Sequence, residues 1–378
     1  MLWLKESSND NSTTVGLKFC TPFRLKLPKI KTQDKTMKKV TTLFVASLFT
    51  AGMAFAQSND ASTTQTGDDN DALVEQVGIS NVADVSQDGD NNEATVQQGE
   101  FGANNVQSNY AEASISQVGS ENEAAVNQRQ GWSGGSAVSI HSVEQDGLRN
   151  TGLLTTFNGG NEGSVTQLGN DNYANGRQAG SGHDLDIYQE GSDNEARINQ
   201  LSGASGNSAD IAQRGSDNYG FVEQSSTSGN RAGQWVSGDD NTVIQTQTSD
   251  DNRQRVEITG DSNTYTTLQE GGSGNALYIN SRGTGPGSNS SFAYNSDFDA
   301  VQSGSDNLIS GEMSGYNNSL TITQFGDGNS VGSGMWDADG FRVEGDNNVG
   351  LIDQSGVGHS ASMTILGNGN NSTITQSN

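Results

Sequence analysis

Residues 81–99 read NVADVSQDGDNNEATVQQG. Asn81, Ala83, Val85 and Gln87 stand two residues apart, and Asn92, Ala94, Val96 and Gln98 repeat the set 11 residues on. The stretch before it has the same frame, with Asn70, Ala72, Val74, Gln76 and Gly78 at matching offsets. A period of two marks an extended strand whose alternate side chains share one face. The Gly that follows the Gln, with Asp, Ser or Asn after it, marks a turn that tolerates positive φ. Each 11-residue unit therefore reads as one strand and one corner.

Followed along the chain, the pairing of an Asn with a Gln six residues later recurs throughout. It occurs at Asn59 and Gln65, Asn70 and Gln76, Asn81 and Gln87, Asn92 and Gln98, Asn122 and Gln128, Asn161 and Gln167, and Asn172 and Gln178. It continues at Asn194 and Gln200, Asn207 and Gln213, Asn218 and Gln224, Asn241 and Gln247, Asn318 and Gln324, Asn348 and Gln354, and Asn370 and Gln376. His183 and His359 fall on the Asn step of two further units. With degenerate copies admitted there are about 27 units, the kind of repetition that specifies a stacked architecture.

The intervening positions are polar or charged: Asp84, Ser86 and Asp88 in one unit, Glu93, Thr95 and Gln97 in the next. Charge is thus kept off the Asn, Ala, Val and Gln face, which must point inward. Two units facing each other across a thin interior make a rung of about 22 residues. The expected fold is an all-β, uncapped β-solenoid, with roughly 13 rungs at about 4.8 Å each giving a rod of roughly 60 Å. Stacked identical amides can donate and accept one rung away, forming structural amide ladders from the Asn and Gln residues named above. An unpaired buried amide costs about 1–3 kcal/mol, so regular spacing is the condition for placing amides inside.

Composition agrees. The chain has 378 residues, 30% hydrophobic, 6% aromatic, with 49 Gly, which is too few large apolar groups for a conventional core. One Val and one Ala per unit cannot offset the entropy of ordering 11 residues, so a lone chain is expected to order only as rungs stack. All eight Lys lie in residues 1–39, and after residue 56 ten Arg face 42 Asp and Glu, a net charge of −32. Such a chain repels nucleic acid and anionic lipid.

Residues 37–56, MKKVTTLFVASLFTAGMAFA, read as a secretory signal peptide: two Lys, a short apolar stretch, then Ala54-Phe55-Ala56 at the cleavage position. The apolar stretch is too short and too interrupted to make a good membrane span. Residues 1–36 read as an upstream extension preceding the true start at Met37, and Gln57 as the first mature residue. The mature part, 57–378, is the repeat region, with looser or inserted segments near 99–120, 129–149, 284–300 and 330–345. Cys20, the single cysteine, precedes the leader, so the mature chain has no thiol chemistry. The first unit begins at Asn59 and the last ends at Gln376, which leaves no room for terminal caps; the natural partner for an open edge is another copy of the chain.

QVGISNVADVSQ (76–87) and QEGSDNEARINQ (189–200) resemble the curlin repeat, Gln-x-Gly-x-x-Asn-x-Ala-x-x-x-Gln. That family comprises secreted subunits of curli, the functional amyloid fibres of bacterial biofilm matrix. The resemblance implies export through an outer-membrane secretion machinery, nucleated self-assembly at the cell surface, and roles in adhesion and biofilm cohesion. The alternative is a monomeric surface β-solenoid adhesin, stabilised by calcium.

No catalytic constellation emerges. His141, His183 and His359 have no Cys or Ser motif beside them, so no enzyme activity and no cofactor is assigned. Asp-rich turns such as GDDND (67–71), DGDNNE (88–93) and FGDGNS (325–330) lack the period of calcium β-rolls and the Glu of an EF-hand, and read as solvated corners. Thr-x-Thr runs such as TVIQTQT (242–248) reflect strand propensity. Tyr173, Tyr219, Trp132, Trp235 and Trp336 fall at outward or loop positions.

Overall fold

The structure, a computed structural model, describes residues 3–9, 12–18, 24–26, 30–31, 40–43, 58–99, 109–129, 138–225, 228–281, 292–332 and 340–378. Gln57, Cys20, Trp132, Trp336 and most of the leader lie outside these. The described chain is all-β, a solenoid of parallel strands in two stacked sheets, and divides into two units, Met1–Ile187 and Tyr188–Asn378.

In the first unit, successive repeats go alternately to two sheets. One contains Asp60–Thr66, Val82–Asp88, Glu112–Ser120, Ile140–Leu148 and Glu162–Asn170. The other contains Asp71–Gln76, Glu93–Gln98, Glu123–Arg129, Thr151–Phe157 and Tyr173–Ser181. Ala72 lies opposite Ala94, Val74 opposite Val96, and Gln76 opposite Gln98. One rung is therefore two repeats. The offset is 22 residues between Gln65 and Gln87 but 30 between Gln87 and Gln117, yet the inward letters stay aligned. Register, not chain length, decides whether the amides meet. On the first rung, Trp3–Asn9 runs antiparallel to Asp71–Gln76, and Val40–Leu43 antiparallel to Asp60–Thr66.

The corners explain the Gly. Gly119 has φ +107°, and a Cβ there would sit 2.0 Å from the carbonyl oxygen of Gly147 one rung on. Neither the left-handed backbone nor the close stacking of corners admits a side chain. Gly119→Ala is therefore expected to destabilise the fold by about 2–4 kcal/mol. A guanidinium midpoint equal to that of the unchanged protein would contradict this account of the corners.

The second unit keeps the same plan. One sheet runs through Glu195–Ser205, Tyr219–Ser225, Thr242–Gln247, Thr264–Glu270, Asp297–Ser303, Ser319–Phe325, Val349–Ser355 and Asn371–Ser377. The facing sheet runs through Ser208–Ser216, Arg231–Ser237, Arg253–Thr259, Ala276–Asn280, Leu308–Tyr316, Phe341–Glu344 and Met363–Leu366. Here the interior differs from the sequence expectation. Val236 stands opposite Gln213, Ile258 opposite Val236, and Ile365 opposite Val343, so apolar residues take the place of Gln in this sheet. They join Tyr265, Phe298, Phe341, Leu277 and Ile309 in a continuous apolar cluster. Tyr265 and Phe298 have ring centroids 5.7 Å apart, Phe298 and Phe341 5.6 Å. This half has the conventional core that overall composition argues against, because inward apolar residues of both sheets, Tyr265 and Phe298 on one and Val236, Ile258 and Phe341 on the other, meet in its interior. The final strand, Asn371–Ser377, has no strand on its other edge among the described residues.

Candidate functional site: the buried amide ladders

The inward Gln residues form chains of amide–amide hydrogen bonds. In the first unit Gln65 Nε2 donates to Gln87 Oε1 (2.7 Å), Gln87 to Gln117 (2.8 Å), Gln117 to Gln145 (2.9 Å) and Gln145 to Gln167 (2.8 Å). In the second, the sequence Gln200, Gln224, Gln247, Gln269, Gln302, Gln324, Gln354 and Gln376 is joined without a break by bonds of 2.8–3.1 Å. Gln189 donates to Gln213 at 2.9 Å, where the facing ladder gives way to Val236.

Most of these Gln residues use their second N–H to join the sheets. Gln76 donates to the Asp60 carbonyl (2.8 Å), Gln98 to Val82 (2.8 Å), Gln178 to Glu162 (2.7 Å) and Gln247 to Arg231 (3.2 Å), each 16 residues back on the facing strand, and where chain is inserted the bond spans more, as from Gln117 to Glu93. A group with two donors and one carbonyl satisfies both the stack and the cross-section.

The Asn residues stand at the corners. Asn92 donates both its backbone N–H (3.0 Å) and its Nδ2 (3.1 Å) to Asn70 Oδ1, and its Nδ2 also reaches the Gly119 carbonyl at 2.8 Å. Asn122, Asn150 and Asn172 continue this row in the first unit, and within the second unit Asn194, Asn218, Asn241 and Asn263 form a row of the same kind. The row through Asn348 and Asn370 follows Ser296 and Asn318, with Asn370 N donating to Asn348 Oδ1 at 2.9 Å. On the facing sheets, Asn81 N donates to Asn59 Oδ1 (3.0 Å) and Asn230 N to Asn207 Oδ1 (3.0 Å). Asn161 is flanked by Ser139 and His183, whose N–H donates to Asn161 Oδ1 at 2.9 Å. All the amides named from the sequence are buried except those of the terminal rungs: Asn59, Gln65 and Gln376 are half-buried and Asn370 is exposed.

Three features escape sequence reasoning. First, Thr156 interrupts the second Gln row, lying opposite both Gln128 and Gln178. His141 reaches in from the facing sheet to bridge the gap: Gln128 Nε2 lies 2.8 Å from its Nδ1, and Gln178 Oε1 lies 3.1 Å from its Nε2. An amide nitrogen only donates and an amide oxygen only accepts, so the ring must be neutral, with Nδ1 bare and Nε2 protonated. Burial pushes its pKa down to about 4, opposed by the bond to Gln178. Gly163 makes room, since a Cβ there would meet His141 Cδ2 at 2.9 Å.

Second, the residue after the corner Gly is a structural acceptor. Asp68 N–H donates to Asp90 Oδ1 (2.8 Å), Asp239 N–H to Asp261 Oδ1 (2.9 Å) and Ser305 N–H to Asp327 Oδ1 (2.8 Å). These carboxylates tie one rung to the next, and no group of three or more His, Cys, Asp or Glu is placed to hold a metal among the described residues.

Third, Gln245 is buried without a hydrogen bond from either side-chain atom. It lies opposite Val222 and Thr267, two positions before the Gln row. Gln245→Leu is expected to stabilise the protein by about 1–3 kcal/mol, the desolvation cost of unpaired amide groups. A lowered denaturation midpoint in that variant would contradict the assignment.

The outer surface is acidic. Asp184 has its pKa raised by partial burial and by the neighbouring Glu162 and Asp186, so like charges on adjacent rungs oppose stacking at neutral pH. Trp235 folds over Gly233, where a Cβ would meet its ring at 2.3 Å, and Arg255 stacks on that ring at 4.4 Å. Tyr173 and Tyr219 are half-buried on the outer faces.

A β-solenoid whose interior is held in register by Asn and Gln ladders is a structural repeat architecture. Its cross-section offers amides, small apolar groups and aromatic packing. The model of the curlin-associated repeat matches residues 56–89, 204–233 and 345–377, so the chain carries curlin-type repeats in both units. Comparison with curated proteins found no match. No helix of the described residues is long and apolar enough to cross a membrane.

Proposed function

We propose that the chain is a secreted structural subunit that polymerises end to end into curli-like amyloid fibres, contributing to biofilm cohesion and cell adhesion. The observation that carries this is the last rung. Among the described residues no strand pairs with the outer edge of Asn371–Ser377, and Gln376 donates to the Ser360 carbonyl (3.0 Å) as Gln224, Gln247, Gln269, Gln324 and Gln354 donate to their facing strands. The seven preceding bonds send the other N–H along the stack, so Gln376 offers it to the Oε1 of a further rung. A second copy supplies that rung with the same spacing and polarity.

The leader at 37–56 supports export, and an outer-membrane secretion machinery and a nucleating partner are the partners the repeat family suggests. Residues 3–9 and 40–43, which pair with the first rung, leave with the leader on this reading. The test is thioflavin kinetics on residues 57–378 diluted from denaturant. Concentration-dependent growth that preformed fibre shortens to no lag supports the subunit. A stable folded monomer unaffected by seed would favour a surface adhesin instead. The raised pKa of Asp184 gives the direction of the carboxylate contribution: its ionised form is disfavoured in the stack, so these groups favour faster growth as pH falls toward 4, against the opposing effect of His141.

A further inference from the structure

Beyond end-to-end growth, and resting on it, we infer that fibres associate side by side through a row of acids in one copy and a pair of arginines in another. Asp71, Glu93 and Glu123 occupy one outward column on three successive rungs of the first unit, each directly opposite the next. Glu93 and Glu123 are exposed and Asp71 half-buried. Arg231 and Arg253 are likewise directly opposite on successive rungs of the second unit, both exposed and with no ion pair among the described residues. By contrast, the neighbouring Arg255 is engaged by Glu257 and Trp235, and Arg149 by Asp171.

Like charges stacked one rung apart are unfavourable in isolation. Both rows repeat at the strand spacing of about 4.8 Å, so each arginine can face one carboxylate when two strand faces meet side by side. The outward residues beside the acids, Leu73, Thr95 and Ala125, are uncharged, and beside the arginines the Trp235 ring lies over Gly233 with Arg255 stacked on it, adding a third cation to that face. Every copy carries each row once. Two fibres built from the same chain therefore share one axial period, and a single matched contact brings all the others into register. In a repeat region (57–378) of net charge −32, where most surfaces repel, this is the pairing of opposite sign that a second copy supplies.

The test uses residues 57–378 in three forms, wild type, R231E/R253E, and D71R/E93R/E123R, with fibre width read by electron microscopy. Wild type is expected to give bundles and each variant alone single fibres, while mixing preformed fibres of the two variants restores bundles, because opposite rows again face each other. If R231E/R253E forms no fibres, R231S/R253S is expected to give fibres with bundling lost. Single fibres from wild type, or bundles from each variant alone, would overturn the contact while leaving the fibre reading intact. Bundles that appear only when alginate is added would overturn it in favour of an anionic polymer. Wild type that forms no fibres would overturn the fibre reading, and the contact with it.

Discussion

Gln269→Leu is expected to destabilise the folded chain by about 3–6 kcal/mol, although Leu is more apolar and of similar size. Gln269 accepts from Gln247 at 2.9 Å and donates to Gln302 at 2.8 Å and to the Arg253 carbonyl at 3.0 Å. Its removal leaves an N–H of Gln247, the carbonyl of Gln302 and a backbone carbonyl without these partners, each costing about 1–3 kcal/mol when buried, with partial compensation from apolar burial. The facing sheet supplies the contrast. There Val236, Ile258, Val343 and Ile365 hold the Gln column, and Ile258→Leu should change stability by less than about 1.5 kcal/mol. Denaturant midpoints for the two variants decide the matter. Equal effects would mean that the amides are space-fillers and that register is set by the backbone alone.

His141 should make the protein lose about 3 kcal/mol of stability as pH falls from 6.5 to 4, at 1.36 kcal/mol for each pKa unit. Above pH 6.5 the imidazole is neutral in folded and unfolded chains, and its ladder bonds contribute in full. Between 6.5 and about 4 the unfolded chain takes up the proton while the folded one refuses it, so stability drops, and below about 4 the loss is constant. The geometry shows why the folded site refuses it: a proton on Nδ1 would confront the Gln128 amide N–H, itself a donor, 2.8 Å away. Outward carboxylates act in the opposite sense, since Asp184 is relieved by protonation. His141→Gln separates the two, because it can offer one acceptor to Gln128 and one donor to Gln178 without titrating. The variant should keep its stability over this window relative to wild type. Parallel pH profiles for the two proteins would remove His141 from the ladder.

Much of this was legible in the letters. The alternation in Asn81, Ala83, Val85 and Gln87 specified strand, inward face and corner, because a period of two leaves one geometry for four identical offsets. What was not legible came from pairings across the interior. In AGQWVS (232–237) Gln234 takes the Val place and Val236 the Gln place, a two-residue exchange that turns an amide row into an apolar one. The exchange is visible on the line, but its consequence depends on Ile258 and Met313 stacking beyond it. His141 falls in a repeat that looks degenerate, and its role is set by Thr156 on the facing sheet, which no periodicity within one strand reveals. The aspartates after the corner Gly read as solvated turns. Their second use, accepting a backbone N–H from the preceding rung, requires the rungs to be stacked first.

X-ray fibre diffraction on aligned material grown from residues 57–378 tests the central claim most directly, that chains extend one another's ladders rung upon rung. The account predicts a sharp meridional reflection near 4.7 Å and a broad equatorial one near 10 Å, from stacked strands and facing sheets. Material with no meridional reflection near 4.7 Å, or a protein that stays a soluble β-rich monomer at every concentration, would contradict it.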